Sequence, residues 1–203
     1  MVYMAFNLNK KITLNLLSTL EEDGDITQRN IASKLGVALG LANAYLKKSV
    51  EKGYVKIKQV PRKRYSYYIT PKGFAEKAAL TAEYFTSSYA FFRKSKNDCE
   101  LILNECALNG IYDVILSNIS ELAEITILTS LDSKINIIGV IDEDKTSFNG
   151  VNVYKNFSDI KKYDGIILTE VNKPQERYDY LSNNFPSHKI FSPAILNIRK
   201  KNE

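Results

Sequence analysis

Three features predict an α/β protein built from two joined domains. The basic first half carries two short helical patterns followed by two strand patterns. In the second half, continuous apolar strands alternate with helices, and a long helical pattern lies between the halves. A chain of 203 residues is long enough for two small domains, and 44% hydrophobic content gives each a core.

From Asp25 the chain runs DITQRNIASKLGVALGLANAYLKKSVEKGYVKIKQVPRKRYSYYITPKG. Thr27 is placed to cap a helix, with Ile31, Ala32 and Leu35 on one face, and Gly36 is placed to close it in a left-handed conformation. Val37 begins a tight turn into a second helix over 39–52, which Gly53 stops. Leu39, Ala42, Leu46 and Val50 form its inward stripe, and Gly40, Asn43, Ala44, Lys47 and Lys48 face outward. Strands follow over 54–60, where Val55, Ile57 and Gln59 alternate with Lys56, Lys58 and Val60, and over 65–69. Pro61, Arg62, Lys63 and Arg64 join them. Two helices and a tight turn followed by such a hairpin predict a winged helix-turn-helix.

These residue types suit double-stranded DNA. An Asn can hydrogen-bond an adenine edge in the major groove, a Gly lets the backbone come close, and lysines further along reach phosphates. The candidate DNA contacts are Gln28 and Arg29 on the first helix, Leu39, Gly40, Asn43, Lys47 and Lys48 on the second, and Arg62, Lys63 and Arg64 on the wing. Residues 1–96 carry 17 Lys and Arg against 7 Asp and Glu, whereas residues 97–203 carry 11 against 16. That asymmetry directs the first half to nucleic acid and keeps the second off it. A protein-interaction module is the alternative use of such a fold.

ITPKG, residues 69–73, resembles the strand-to-helix junction of winged-helix repressors of the multiple-antibiotic-resistance (MarR) group. GVALGLANAYLKKSVEKGYVKI is similar to the recognition helix of their exopolysaccharide-associated members. The resemblance covers residues 8–95, with Ala38 standing where such proteins place a capping Ser or Thr. It implies a DNA-binding transcriptional regulator that acts as a homodimer, and suggests control of surface-polysaccharide genes.

A helix over 71–94 follows, with Thr70 as its cap and Pro71 at its first position. Phe74, Ala78, Thr81, Phe85, Ser88 and Phe92 recur at near-heptad spacing, and Leu80, Tyr84 and Phe91 widen the apolar surface. The favoured use of the seam is a homodimer contact, and packing against the chain's own second domain is the alternative. A connecting helix over 96–108 leads to a small Rossmann-like parallel α/β domain over 109–203, so the expected division is 1–95, 96–108 and 109–203. In it, strands are expected at 112–116, 136–141, 165–169 and 189–191, and helices at 121–131, 157–163 and 174–184.

GVIDEDKTSFNGVNVY, residues 139–154, resembles the small nucleotide-binding-like domains that precede sugar acyltransferase domains and occur in coenzyme A-binding proteins. The resemblance implies a strand leading to the next helix, and an effector that is a nucleotide or is nucleotide-sugar-like. The first strand-to-helix turn, 116–122, has no glycine to let a pyrophosphate approach the backbone, so NAD or FAD held by a glycine loop is not expected, and neither is any other cofactor. Ser117, Asn118, Ser120 and Asp142 are the candidate ligand contacts, with Ser120 as a plain helix cap the alternative.

Catalysis is not expected. The single His188 has no nucleophile motif beside it. Glu121 with Glu124, and Asp142, Glu143 and Asp144 in one turn, read as hydrated carboxylates, and no metal is expected. Cys99 and Cys106 share a helix face without redox or zinc spacing and read as buried thiols. No run of eighteen apolar residues or signal-peptide core occurs, so membrane insertion is not expected and the protein is placed in the cytoplasm. The expected function is therefore sequence-selective DNA binding with a second domain that senses a ligand or contacts a partner. The alternatives are a nucleotide-dependent enzyme domain tethered to DNA and a purely structural second domain.

Overall fold

The computed structural model describes residues 8–61 and 64–200. Two compact units meet in sequence between Ala90 and Phe91. The first unit contains α1 (Leu8–Glu22), α2 (Gln28–Leu35), α3 (Leu39–Glu51), β1 (Val55–Val60), β2 (Arg64–Ile69) and the start of α4 (Pro71–Leu108).

Helix α1 buries Ile12, Leu16, Leu17 and Leu20, which the 3.6-residue repeat brings to one side. Leu16, Leu17, Ile31, Ala42, Leu46, Val55 and Tyr67 belong to one core. Each fully buried Leu or Ile contributes roughly 1.5–3 kcal/mol. Thr27 caps α2 by accepting from the backbone N–H of Asn30 at 3.2 Å. Gly36 ends α2 at φ 64, a conformation that an L side chain resists. Strands β1 and β2 pair antiparallel from Val55 opposite Ile69 to Val60 opposite Arg64.

Thr70 turns the chain from the hairpin into α4. Its hydroxyl accepts from Gly73 N–H at 3.1 Å and donates to the Gly53 carbonyl at 2.6 Å. A Cβ at Gly73 would lie 2.2 Å from the Tyr54 carbonyl oxygen, so the helix can start this close only with glycine there. Helix α4 then runs unbroken for 38 residues. The separate connecting helix expected over 96–108 is its last third, because no Gly or Pro interrupts residues 74–108.

The second unit holds the end of α4, β3 (Asp113–Leu116), α5 (Glu121–Ser130), β4 (Asn136–Ile141), β5 (Val153–Tyr154), β6 (Gly165–Ile167), α6 (Pro174–Asn184) and β7 (Ile190–Phe191). All five strands are parallel, in the order β5-β4-β3-β6-β7. Period-two alternation fills both faces of the sheet. Val114 and Leu116 pack with Ile102, Leu103 and Cys106 of α4 and Ala123 of α5, while Ile115 packs with Phe157, Tyr178 and Leu181.

In place of the helix expected over 157–163 there is a three-residue 3₁₀ turn, Phe157–Asp159, closed by the Asp159 carboxylate on Asn156 N–H and left by an extended Ile160. The strand order reverses at β3, which leaves a crevice at the carboxyl ends of β3 and β6, the place where open α/β sheets receive ligands.

Candidate functional site

Helix α3 presents Gly40, Leu41, Ala44, Lys47 and Lys48 to solvent, while Ala42, Leu46 and Ser49 are buried. Leu39 is 43% exposed, which corrects its assignment to the inward stripe and leaves it at the start of the helix, where it can meet a duplex. Ala38 precedes it without a side-chain cap. Lys47 stays open, its closest carboxylate being Glu51 at 3.9 Å. Asn43 departs from expectation. It is half-buried, and its Oδ1 is closed to solvent with no hydrogen-bond partner. A bidentate contact to adenine needs both amide atoms, so Asn43 cannot make one in this conformation.

Arg29 is exposed on α2. Gln28 is half-buried and donates its Nε2 to the Tyr67 hydroxyl at 3.2 Å, which ties it to the hairpin. Arg62 and Lys63 lie outside the described residues, and Arg64 is the first residue of β2. Lys56 and Lys58 are exposed on β1. Sequence reasoning did not count them as contacts, although their period-two spacing puts both on one face of the wing. The ion pairs Lys10–Glu83, at 2.6 Å, and Lys77–Glu21 fasten α1 to the first part of α4.

On α4, Phe85 is 66% exposed, Tyr89 63% and Phe92 39%, three rings at i, i+4 and i+7. Phe74 is exposed on the same helix, whereas Leu80 is buried beside Leu14.

A family model for winged helix-turn-helix DNA-binding matches residues 10–56, from α1 to the start of β1. No curated protein matches the chain. The first unit is a DNA-binding winged helix-turn-helix: two short helices and a turn present exposed cations, and a paired hairpin follows them.

In the second unit the four expected ligand contacts separate into two pairs. Ser117 is fully buried, and its hydroxyl accepts from Thr169 N–H at 3.0 Å and donates to Asn118 Oδ1 at 3.1 Å. Ser120 caps α5, accepting from Ala123 N–H at 3.1 Å and donating to the Thr169 carbonyl at 2.6 Å. Both hydroxyls are spent on joining the ends of β3 and β6, which corrects their assignment to a ligand. Ile119 packs against the core between them.

Asn118 and Asp142 instead line a cavity of about 680 Å³ at the strand ends. Phe157, Tyr163, Glu170, Arg177 and Tyr180 share its wall. Nothing in the local sequence pattern marked Arg177. It sits in the first turn and a half of α6, and its Nη2 donates to the Ser117 carbonyl. Its Cζ is 5.8 Å from the Phe157 ring centroid and 5.2 Å from that of Tyr180. Burial lowers its pKa below the ordinary arginine value, and the nearby Glu170 and Glu143 carboxylates offset part of that shift.

The remaining reactive groups are structural or open to water. Burial pushes the Cys99 thiol up to about 11 and the Cys106 thiol up to about 12, and Cys99 Sγ lies 3.3 Å from Thr126 Oγ1. His188 is exposed in the turn Ser187–Lys189, and Glu121 and Glu124 are exposed on α5. No cluster of three His, Cys, Asp or Glu fit for a metal occurs among the described residues. None of their helices is long and apolar enough to cross a membrane.

Proposed function

We propose that this protein is a sequence-selective, dimeric transcriptional regulator of the MarR kind whose second unit takes a small effector. The observation that carries the reading is the match of residues 10–56 to winged helix-turn-helix DNA-binding, on a unit whose α3 and β1 expose Lys47, Lys48, Lys56 and Lys58. The exposure of those groups supports recognition by the start of α3 and phosphate binding by the hairpin. The stripe Phe85, Tyr89 and Phe92 supports a homodimer along α4, which would bring two recognition helices to half-sites about one helical turn apart. The resemblance of residues 8–95 to exopolysaccharide-associated regulators supports surface-polysaccharide genes as the target, and DNA binding supports action in the cytoplasm.

The second unit acts as a binder without catalysis. No histidine or cysteine lines the cavity, and both thiols are held protonated by burial. A salt titration of duplex binding tests the central claim. Affinity should fall steeply with salt, and Ala at Arg62, Lys63 and Arg64 should reduce the log–log slope by up to about 3 while weakening all sequences alike. An unchanged slope in that variant removes the wing from the mechanism.

A further inference from the structure

The cavity at the carboxyl ends of β4, β5 and β6 contains a cation that no carboxylate contacts directly, although Glu170 and Glu143 act on it from a distance. Arg177 lines it, half-buried, and makes no ion pair among the described residues. A guanidinium has five N–H donors. In this one Nη2 donates to the Ser117 carbonyl, and Nε is closed to solvent without a partner. Taking such a group out of water is costly unless an anion compensates, and phosphate fits the planar fork of donors.

Two of the three carboxylates that line the cavity, Glu170 and Asp142, are engaged by backbone and side-chain amides. Glu170 accepts from the Asn118 side-chain amide at 3.0 Å and from the N–H groups of Asn172 and Lys173 at 2.7 and 3.3 Å. Asp142 Oδ1 accepts from the N–H groups of Asp144 and Lys145 at 3.1 and 2.8 Å. Asp142 keeps a second oxygen as an acceptor at the end of β4, the position from which a carboxylate holds sugar hydroxyls. Phe157, Tyr163 and Tyr180 give the cavity aromatic walls for a planar ring, and about 680 Å³ is room for a ligand of drug size. Its charged lining, Asp142, Glu143 and Glu170 against Lys155 and Arg177, opposes a polyanion.

We infer that this cavity binds a nucleoside monophosphate, with the phosphate on Arg177 and Lys155, the sugar hydroxyls on Asp142 and the base against the aromatic wall. The inference deepens the effector reading of the second unit and rests on it.

Isothermal titration of the full chain with AMP, GMP, CMP and UMP tests it, with the matching nucleoside, inorganic phosphate and the triphosphate as comparisons. At least one monophosphate should bind, each comparison compound being weaker by about tenfold or more. Arg177→Gln should abolish that binding. Because this change also removes the bond to Ser117, Lys155→Gln at the exposed rim provides a second variant, expected to bind several-fold more weakly. If none of the four monophosphates binds, the inference is overturned. It is equally overturned if folded Arg177→Gln binds as the natural protein does, or, should that variant not fold, if Lys155→Gln does. A monophosphate held through Arg177 without any change in DNA affinity upholds the inference and sinks the effector reading. Intact DNA binding with no monophosphate bound sinks the inference alone.

Discussion

The two units set their cations in opposite surroundings. On the first, Lys47, Lys48, Lys56 and Lys58 stand in solvent. In the second, Arg177 is half-buried beside two rings, and burial lowers its pKa. Solvated cations act by number: each releases counterions from a duplex, and losing one costs little. A desolvated cation acts singly and waits for one partner, since the surrounding low dielectric strengthens whatever it pairs with. A surface made of lysines therefore suits a long polyanion, and a cavity with one arginine suits a small anion.

The largest effect expected separates the surface of α4 from both sites. Phe85→Asp with Phe92→Asp should yield a monomer by sedimentation at micromolar concentration, because each ring buried in a dimer is worth roughly 1.5–3 kcal/mol. A double variant that remains fully dimeric would move the contact elsewhere.

The next tests the independence of the units. Leu46→Ala in the first core and Leu116→Ala in the second should each cost about 2–5 kcal/mol. Native-state hydrogen exchange should speed up in α1 to α3 for Leu46→Ala and in the sheet for Leu116→Ala. Equal acceleration of both units by either change would merge them into a single cooperative body.

A smaller effect distinguishes the buried thiols from the exposed charges. With pKa values pushed up to about 11 and about 12 by burial, Cys99 and Cys106 remain protonated at pH 8. Their alkylation by iodoacetamide should be at least about a hundredfold slower than that of a free thiol, and should rise on unfolding. Since the folded pKa values lie above the unfolded ones, the folded state keeps its protons longer. Stability is then lost as pH climbs from about 9 towards 12. Alkylation at the free-thiol rate would mean that the helix face opens readily.

The smallest effect belongs to Asn43. With Oδ1 sealed and unpartnered, Asn43→Ala should leave base preferences unchanged when sites are selected from random DNA. Loss of preference at one base position, by about 1–3 kcal/mol, would show that the side chain turns outward on the duplex.

Local chemistry was legible where a side chain acts within a few residues of its own backbone. Thr27, Gly36, Thr70 and Pro71 mark helix ends, and the two helices, hairpin and alternating strands follow from periodicity. The three-residue turn at Phe157–Asp159 shares its start with a helix, since Asp159 accepts from Asn156 N–H, and only the extended backbone at Ile160 ends it early. Helix α1 is weakly marked in the sequence because Thr13, Asn15, Ser18 and Thr19 are poor helix formers, and packing of Leu16 and Leu17 stabilises it. Continuity of α4 depends only on the absence of a breaker, which looks the same in sequence as two helices in succession.

By itself the sequence determined most of the elements, the caps at Thr27, Gly36 and Thr70, the parallel character of the second sheet and the concentration of cations in the first half, all set by spacing or local hydrogen bonding. Tertiary structure alone decided which polar groups remain free. It spent Ser117 and Ser120 on Thr169, turned Asn43 inward, exposed Leu39, and brought Arg177 to the end of β3, 60 residues away in sequence. Those outcomes depend on contacts between segments distant in sequence, which satisfy the hydroxyls of Ser117 and Ser120 and leave Asn43 Oδ1 and Arg177 Nε without a partner.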